Sequence, residues 1–138
     1  MQERVFFDTS FVIALDNLDD PYHMKAREIA QQLYTEKTLC FLHWGILLEI
    51  GDGFAKIKYR LAGTHLIQRI LAEERYLIAP ITNELLENAV QLYQARDDKE
   101  FGLTDCLSFT LMRQEGIHEA LTADHHFQQE GFRALLLE

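Results

Sequence analysis

Apolar positions in this 138-residue chain switch between two spacings. Short runs of consecutive apolar residues alternate with longer stretches in which they recur every three or four positions. The first spacing marks buried strands, the second helices with one face turned to a core. Arg4–Asp8 (RVFFD) reads as a strand, and Thr9 and Ser10 offer cap hydroxyls to a short helix through FVIALDN. Asp20-Pro21 predicts a helix start, with Asp at the cap and Pro at the first helical position. The helix that follows sets Tyr22, Ala26, Ile29, Ala30 and Leu33 on one face. Thr38–His43 (TLCFLH) is a second strand. In ILLEIGDGFAKIKYRLAG, Ile46, Ile50, Phe54, Ile57 and Leu61 keep helical spacing and predict a helix that stops at Gly63, with Gly51 and Gly53 weakening its middle. A further helix is expected in THLIQRILAEE, a strand in YLIAPI and an amphipathic helix in NELLENAVQLYQARDDK. TDCLSFTLMRQEG gives another helix closed by Gly116, followed by a strand in EALTAD, a turn or helix in HHFQQEG, and FRALLLE.

Strands that alternate with helices make βαβ units, hence a mostly parallel sheet covered on both faces. The expected fold is α/β: a three-layer α/β/α domain with a sheet of four to five strands, residues 1–138 forming a single domain.

Composition changes this picture little. Hydrophobic residues at 48% and charged residues at 25% argue for a globular chain over a disordered one. No apolar run approaches the ~18–20 residues needed to span a bilayer, and MQERVFF lacks the apolar stretch of a secretory signal. The expected location is therefore the cytoplasm, with no membrane attachment. Cys40 and Cys106 lie far apart without CxxC spacing and read as small buried hydrophobes. Charge matters more. Against 13 Lys and Arg stand 22 acids, a net charge of −9. Nucleic-acid binders usually show the opposite balance, because neutralising phosphates supplies most non-specific affinity. Action on nucleic acid would need a local basic patch, metal ions or a groove between subunits.

Asp8 poses the chemical question. A carboxylate between two apolar runs is costly unless it is paired or binds a metal. Ligands of open α/β sheets bind outside the carboxyl ends of the strands. Asp8 is expected at the end of the first strand and Asp124 at the end of EALTAD. Asp105 opens a helix that begins on that same edge, and Glu49 lies about a turn into the helix after the second strand. Clustered carboxylates raise one another's pKa, a tension that hard divalent cations relieve, and oxygen-rich sites suit Mg²⁺ or Mn²⁺. Such a site activates water for phosphodiester cleavage. Thr9, Ser10 and Thr104 are placed to hydrogen-bond the ligating carboxylates. His125-His126 has no HxxxH or CxxC partner, and adjacent histidines point in different directions, so zinc is not expected.

Asp8-Thr9-Ser10 at the first strand's end, Glu49 in LLEIGDG, Asp105 in LTDCLSF and Asp124 in TAD, in this order, resemble the acidic quartet of PIN domains. DTSFVIAL and LTDCLSFTLM…EALTADHHF resemble VapC-type toxin ribonucleases in particular, and the likeness covers essentially the whole chain. The resemblance implies that Asp8, Glu49, Asp105 and Asp124 bind Mg²⁺ or Mn²⁺. It implies RNA cleavage by a metal-activated water, and a small antitoxin protein as partner. Where that family often has small residues before the glutamate, this chain has His43-Trp44-Gly45. Lys56, Lys58, Arg60 and Arg113 are the cations expected to flank the acids and contact phosphate, especially across a dimer groove. Exposed apolar helices in the C-terminal half point to a homodimer. The alternative is a catalytically inactive PIN-like binding or adaptor module, which would fold the same way but bind no specific metal. A phosphatase or receiver would need a second Asp two residues after Asp8 or a late lysine. Thr9-Ser10 follows Asp8, and no lysine follows Lys99.

Overall fold

Five short strands form one parallel sheet at the centre of the computed structural model, which describes residues 1–138. They are β1 (Arg4–Phe7), β2 (Leu39–His43), β3 (Tyr76–Ala79), β4 (Glu119–Leu121) and β5 (Arg133–Ala134), in the spatial order β3-β2-β1-β4-β5. Register is set by Val5 opposite Cys40, Phe41 opposite Leu77, and Phe6 opposite both Phe41 and Ala120. The chain runs outward from β1 through β2 to β3, then returns to lay β4 on the other side of β1. The direction of winding therefore reverses between β1 and β4, where parallel sheets open a crevice for ligands.

The helices are α1 (Thr9–Asp16), α2 (His23–Glu36), α3 (Trp44–Gly53), α4 (Ile57–Ala72), α5 (Asn83–Ala95), α6 (Leu103–Glu115) and α7 (His125–Gln129), with a 3₁₀ turn at Leu135–Leu137. Neighbouring residues of a strand point to opposite faces, and two phenylalanines show what covers each. Phe7 packs edge-on against Phe11 of α1 and Tyr76. Phe6 meets Phe127 of α7, which is itself edge-on to Phe109 of α6. Burial on both faces is why β1 and β2 read as unbroken apolar runs. Both cysteines are free and buried. No helix is long and apolar enough to cross a membrane.

Two local expectations are corrected. The helix predicted to stop at Gly63 is two helices: α3 ends at Gly53, Phe54–Lys56 turn the chain, and α4 continues through Gly63 to Ala72. Gly63 is a contact and not a stop. A Cβ there would lie 2.6 Å from the Cβ of Phe54, so only glycine lets α4 approach this closely. The second helix begins at His23 and not at Pro21. The Asp20 carboxylate accepts the Tyr22 N–H at 2.8 Å, and this turn delays the helix by two residues.

Candidate active site

Asp8 leaves β1 in extended geometry (φ −108°, ψ 155°) and caps α1 by accepting the Ser10 N–H. The cap is thus Asp8 itself and not the hydroxyls of Thr9 or Ser10. The same oxygen, Oδ2, accepts the Ser10 and Thr122 hydroxyls, each at 2.8 Å. Those hydroxyls are 3.0 Å from each other. Thr122 directly follows β4, so this cluster joins the ends of β1 and β4 across the winding reversal. Two amides complete it, Ala123 N–H donating to Ser10 Oγ and Asp124 N–H to Thr122 Oγ1, both at 3.0 Å. Thr122 carries no signal in the sequence beyond its place two positions before Asp124. Thr104, by contrast, contributes its backbone carbonyl to Ser108 Oγ at 3.1 Å, and its hydroxyl bonds none of the four acids. The Thr9 hydroxyl is enclosed, and its influence on the acids is a pull on Glu49.

The other acids reach the same edge from three helices. Asp124 caps α7, its Oδ1 accepting the His126 N–H at 2.9 Å. Asp105 lies in the first turn of α6, where Oδ2 accepts the Gly102 N–H at 3.0 Å. Helix N-termini favour anions at both positions. Glu49 sits in the second turn of α3, a helix started by the buried His43, whose Nδ1 accepts the Gly45 N–H at 3.0 Å. A Cβ at Gly45 would meet that ring at 2.7 Å, which explains the glycine.

The acids act on one another. Glu49 is the only one of the four classed as exposed, yet its carboxyl is pushed up to about 7. Burial of the carboxyl end contributes most, then the charges of Asp8 and Asp105, with Asp124 adding a smaller push and the Thr9 hydroxyl a small opposing pull. Burial raises Asp8 against the bonds from Thr122 and Ser10, and Asp124 adds to the rise. Burial also raises Asp105, opposed by the Gly102 amide and reinforced by Asp124. Carboxylates that resist ionisation in this way are short of positive charge. Their oxygen donors fit a hard divalent cation.

His126 joins this group from the first turn of α7. Its Nδ1 lies 3.3 Å from Asp124 Oδ1 and 3.5 Å from Asp105 Oδ2. The three donor atoms fall within 4.8 Å of one another. Sequence spacing could not reveal this, because Asp105 comes from a different helix.

Lys56, Lys58 and Arg60 are exposed at the start of α4. A groove of about 690 Å³ is lined by Thr9, Asp16, Asn17, Asp19, Glu49 and Tyr59; the three cations lie outside its lining, with Lys58 Nζ 4.9 Å from the centroid of the Tyr59 ring. Arg113 is placed differently. At the far end of α6 its Nη2 lies 2.5 Å from Glu130 Oε2 and donates to the Glu130 carbonyl at 3.0 Å. Burial pushes the Glu130 carboxyl up, but bonds from Arg96 and Arg113 outweigh it and hold the group below the usual range. Arg113 therefore pairs with the buried Glu130 carboxylate, while its own side chain stays 46% exposed.

Residues 5–132 match the PIN domain. The 23S rRNA-specific endonuclease VapC20 of Mycobacterium tuberculosis is 27% identical over 132 residues, spanning 93% of this chain and 95% of the relative. A crystal structure of Mycobacterium tuberculosis VapC20, described as a sarcin-ricin loop cleaving toxin, superposes with a TM-score of 0.79 at 26% identity, over 93% of this chain and 95% of that one. The all-parallel α/β/α architecture and the match along nearly the whole sequence agree, and the chain belongs to the PIN-domain family.

Proposed function

We propose that this protein is a metal-dependent endoribonuclease of VapC type, the toxin of a toxin–antitoxin pair, with residues 1–138 acting as one PIN-like domain. The observation that carries this reading is the convergence of Asp8, Glu49, Asp105 and Asp124 on one sheet edge, where the charges of Asp8, Asp105 and Asp124 all push on Glu49 and Asp124 also pushes on Asp8 and Asp105. Homology to an rRNA endonuclease supports a nuclease of the hydrolase class. Asp8, Glu49, Asp105 and Asp124 would hold Mg²⁺ or Mn²⁺. When bound, such an ion makes water a stronger nucleophile and offsets the charge that develops on the phosphate.

The chain's own residues do the rest. Ser10 and Thr122 fix Asp8 through Oδ2 alone, which leaves Oδ1 free of protein bonds. In the metal-free protein burial and the charges of Asp8 and Asp105 push the Glu49 carboxyl up to about 7, a tension that a bound cation would relieve. RNA follows the groove from Glu49 to Tyr59, with Lys56, Lys58 and Arg60 against its phosphates, and cleavage leaves a 5′-phosphate and a 3′-hydroxyl. An Arg or Lys from a small antitoxin suits the acidic cleft. Exposed Ile57 and Leu61 on α4 and Leu86, Val90 and Tyr93 on α5 suit a homodimer.

The test is a calorimetric Mn²⁺ titration of the wild type beside Asp8→Asn, followed by RNA digestion with both. Binding by the wild type that the folded variant loses, together with metal-dependent cleavage, is the expected result. A wild type that binds no more Mn²⁺ than the variant would leave a non-catalytic adaptor as the better description.

A further inference from the structure

His126 has no place in the four-acid scheme, yet its ring is built into the site. Asp124 fixes its backbone by accepting its N–H. Phe101 meets the ring edge-on, with centroids 5.4 Å apart, so the imidazole is held against Asp105 and Asp124. Nδ1 is fully enclosed and has no hydrogen-bond partner. Buried polar atoms are rarely left so. His125 is next in the chain but exposed, and makes neither carboxylate contact.

The spacing is informative. An imidazole paired with a carboxylate by a charge-assisted hydrogen bond sits about 2.7–2.9 Å away. Here the separations are 3.3 and 3.5 Å, to two different carboxylates at once. Neighbouring donors around an octahedral ion with bonds of about 2.1 Å lie about 3 Å apart. The nitrogen is thus spaced as a fellow ligand. We propose that His126 is a nitrogen ligand of the metal held by the acids, and that it shifts the preference of this site from Mg²⁺ toward first-row transition ions such as Mn²⁺ and Co²⁺. Mg²⁺ favours an all-oxygen shell, whereas imidazole is a better donor to transition ions. The Gly102 and His126 amides, which bond Asp105 Oδ2 and Asp124 Oδ1, orient the two carboxylates beside the nitrogen. This proposal rests on the reading of the acids as a metal site.

The experiment is pulsed EPR of the Mn²⁺-loaded protein, with calorimetric dissociation constants for Mn²⁺ and Mg²⁺, on the wild type, His126→Phe, His125→Phe and Asp8→Asn. His126→Phe keeps a ring against Phe101. A nitrogen hyperfine coupling is expected in the wild type and in His125→Phe, and is lost in His126→Phe. The preference for Mn²⁺ over Mg²⁺ should fall about tenfold in His126→Phe, the scale on which single changes around a metal act. Bound Mn²⁺ without nitrogen coupling, or coupling that survives in His126→Phe, overturns the role of His126 and leaves the carboxylate site standing. A wild type that binds no more Mn²⁺ than Asp8→Asn removes the metal site and the proposal together. Should His126→Phe fail to fold, the wild-type and His125→Phe spectra decide.

Discussion

His43 Nε2 and Ser108 Oγ lie 2.9 Å apart in a contact shut off from solvent, His43 being 0% and Ser108 1% exposed. Because Nδ1 accepts the Gly45 N–H, the neutral ring carries its proton on Nε2 and donates it to Ser108. The Ser108 hydroxyl donates in turn to the Thr104 carbonyl at 3.1 Å. These bonds tie the end of β2 and the start of α3 to the first turns of α6. They connect the helix that bears Glu49 to the one that bears Asp105.

Removing Ser108 should therefore reach beyond local packing. Ser108→Ala leaves the Nε2–H unpaired at a cost of about 1–3 kcal/mol. Burial lowers the His43 pKa from 6.5 to about 4. Between those values the unfolded chain holds a proton that the folded chain refuses, so this residue makes stability fall as pH drops from about 6.5 to about 4, by on the order of 3 kcal/mol across the window. Urea melts at pH 7 and pH 4.5 should show a smaller loss on acidification in His43→Gln than in the wild type. Equal losses in the two proteins would mean that His43 is not held neutral.

The acids push the opposite way. Glu49 titrates near 7 when folded against 4.5 ordinarily, so the folded state holds its proton more tightly between those values. Stability from this source falls as pH rises through the window, and the cost is complete above about 7. Glu49→Gln should stabilise the metal-free protein at pH 7.5 by about 1 kcal/mol, after allowing for solvent screening of an exposed residue, with little gain at pH 4.5. Added salt should shrink the difference. Thermal melts at the two pH values check this, and a variant no more stable than wild type at pH 7.5 would show that the acids are not in conflict.

What the sequence discloses depends on the range of the interaction. RVFF and LCFLH are legible as strands because burial on both faces leaves no polar position to interrupt them. The α3–α4 break is not legible, since Ile57 and Leu61 continue the spacing of Ile46, Ile50 and Phe54 although they are 93% and 68% exposed. Periodicity registers which residues are apolar, not what covers them. Asp8, Glu49, Asp105 and Asp124 could be grouped because parallel topology sends strand ends and helix starts to one edge. Thr122 could not, since its meaning lies in a bond to a residue 114 positions away. The Arg113 ion pair is hidden for the same reason, its partner Glu130 lying 17 residues further on.

Gly63 offers a test of the break itself. Alanine normally improves a helix interior by about 1 kcal/mol over glycine. At position 63 the added carbon would meet the Cβ of Phe54 at 2.6 Å, an atom fixed to the backbone that cannot swing aside. Gly63→Ala should therefore destabilise, by about 1–3 kcal/mol. Gly53, at the end of α3, has nothing within 4 Å of the same carbon, and Gly53→Ala should be neutral or stabilising. Denaturant midpoints of the two variants should move in opposite directions or differ clearly in size. A stabilised Gly63→Ala would mean that α4 does not pack on Phe54 as described.

The net charge of −9 makes the route of RNA a sharp question, because most of the surface repels phosphate. If Lys56, Lys58 and Arg60 each neutralise one phosphate, each contributes about 0.7 to the slope of log affinity against log salt for a single strand. Replacing all three by alanine should flatten that slope by about 2, measured by fluorescence anisotropy on the Asp8→Asn background so that the RNA stays intact. Arg113→Ala should leave the slope unchanged and lower stability instead, since it strips one of two cations from a Glu130 side chain that is 3% exposed. The two outcomes separate a phosphate contact from an internal ion pair. A triple variant with the wild-type slope would move the RNA off the groove beside Tyr59, and a flattened slope in Arg113→Ala would place it across the outer end of α6.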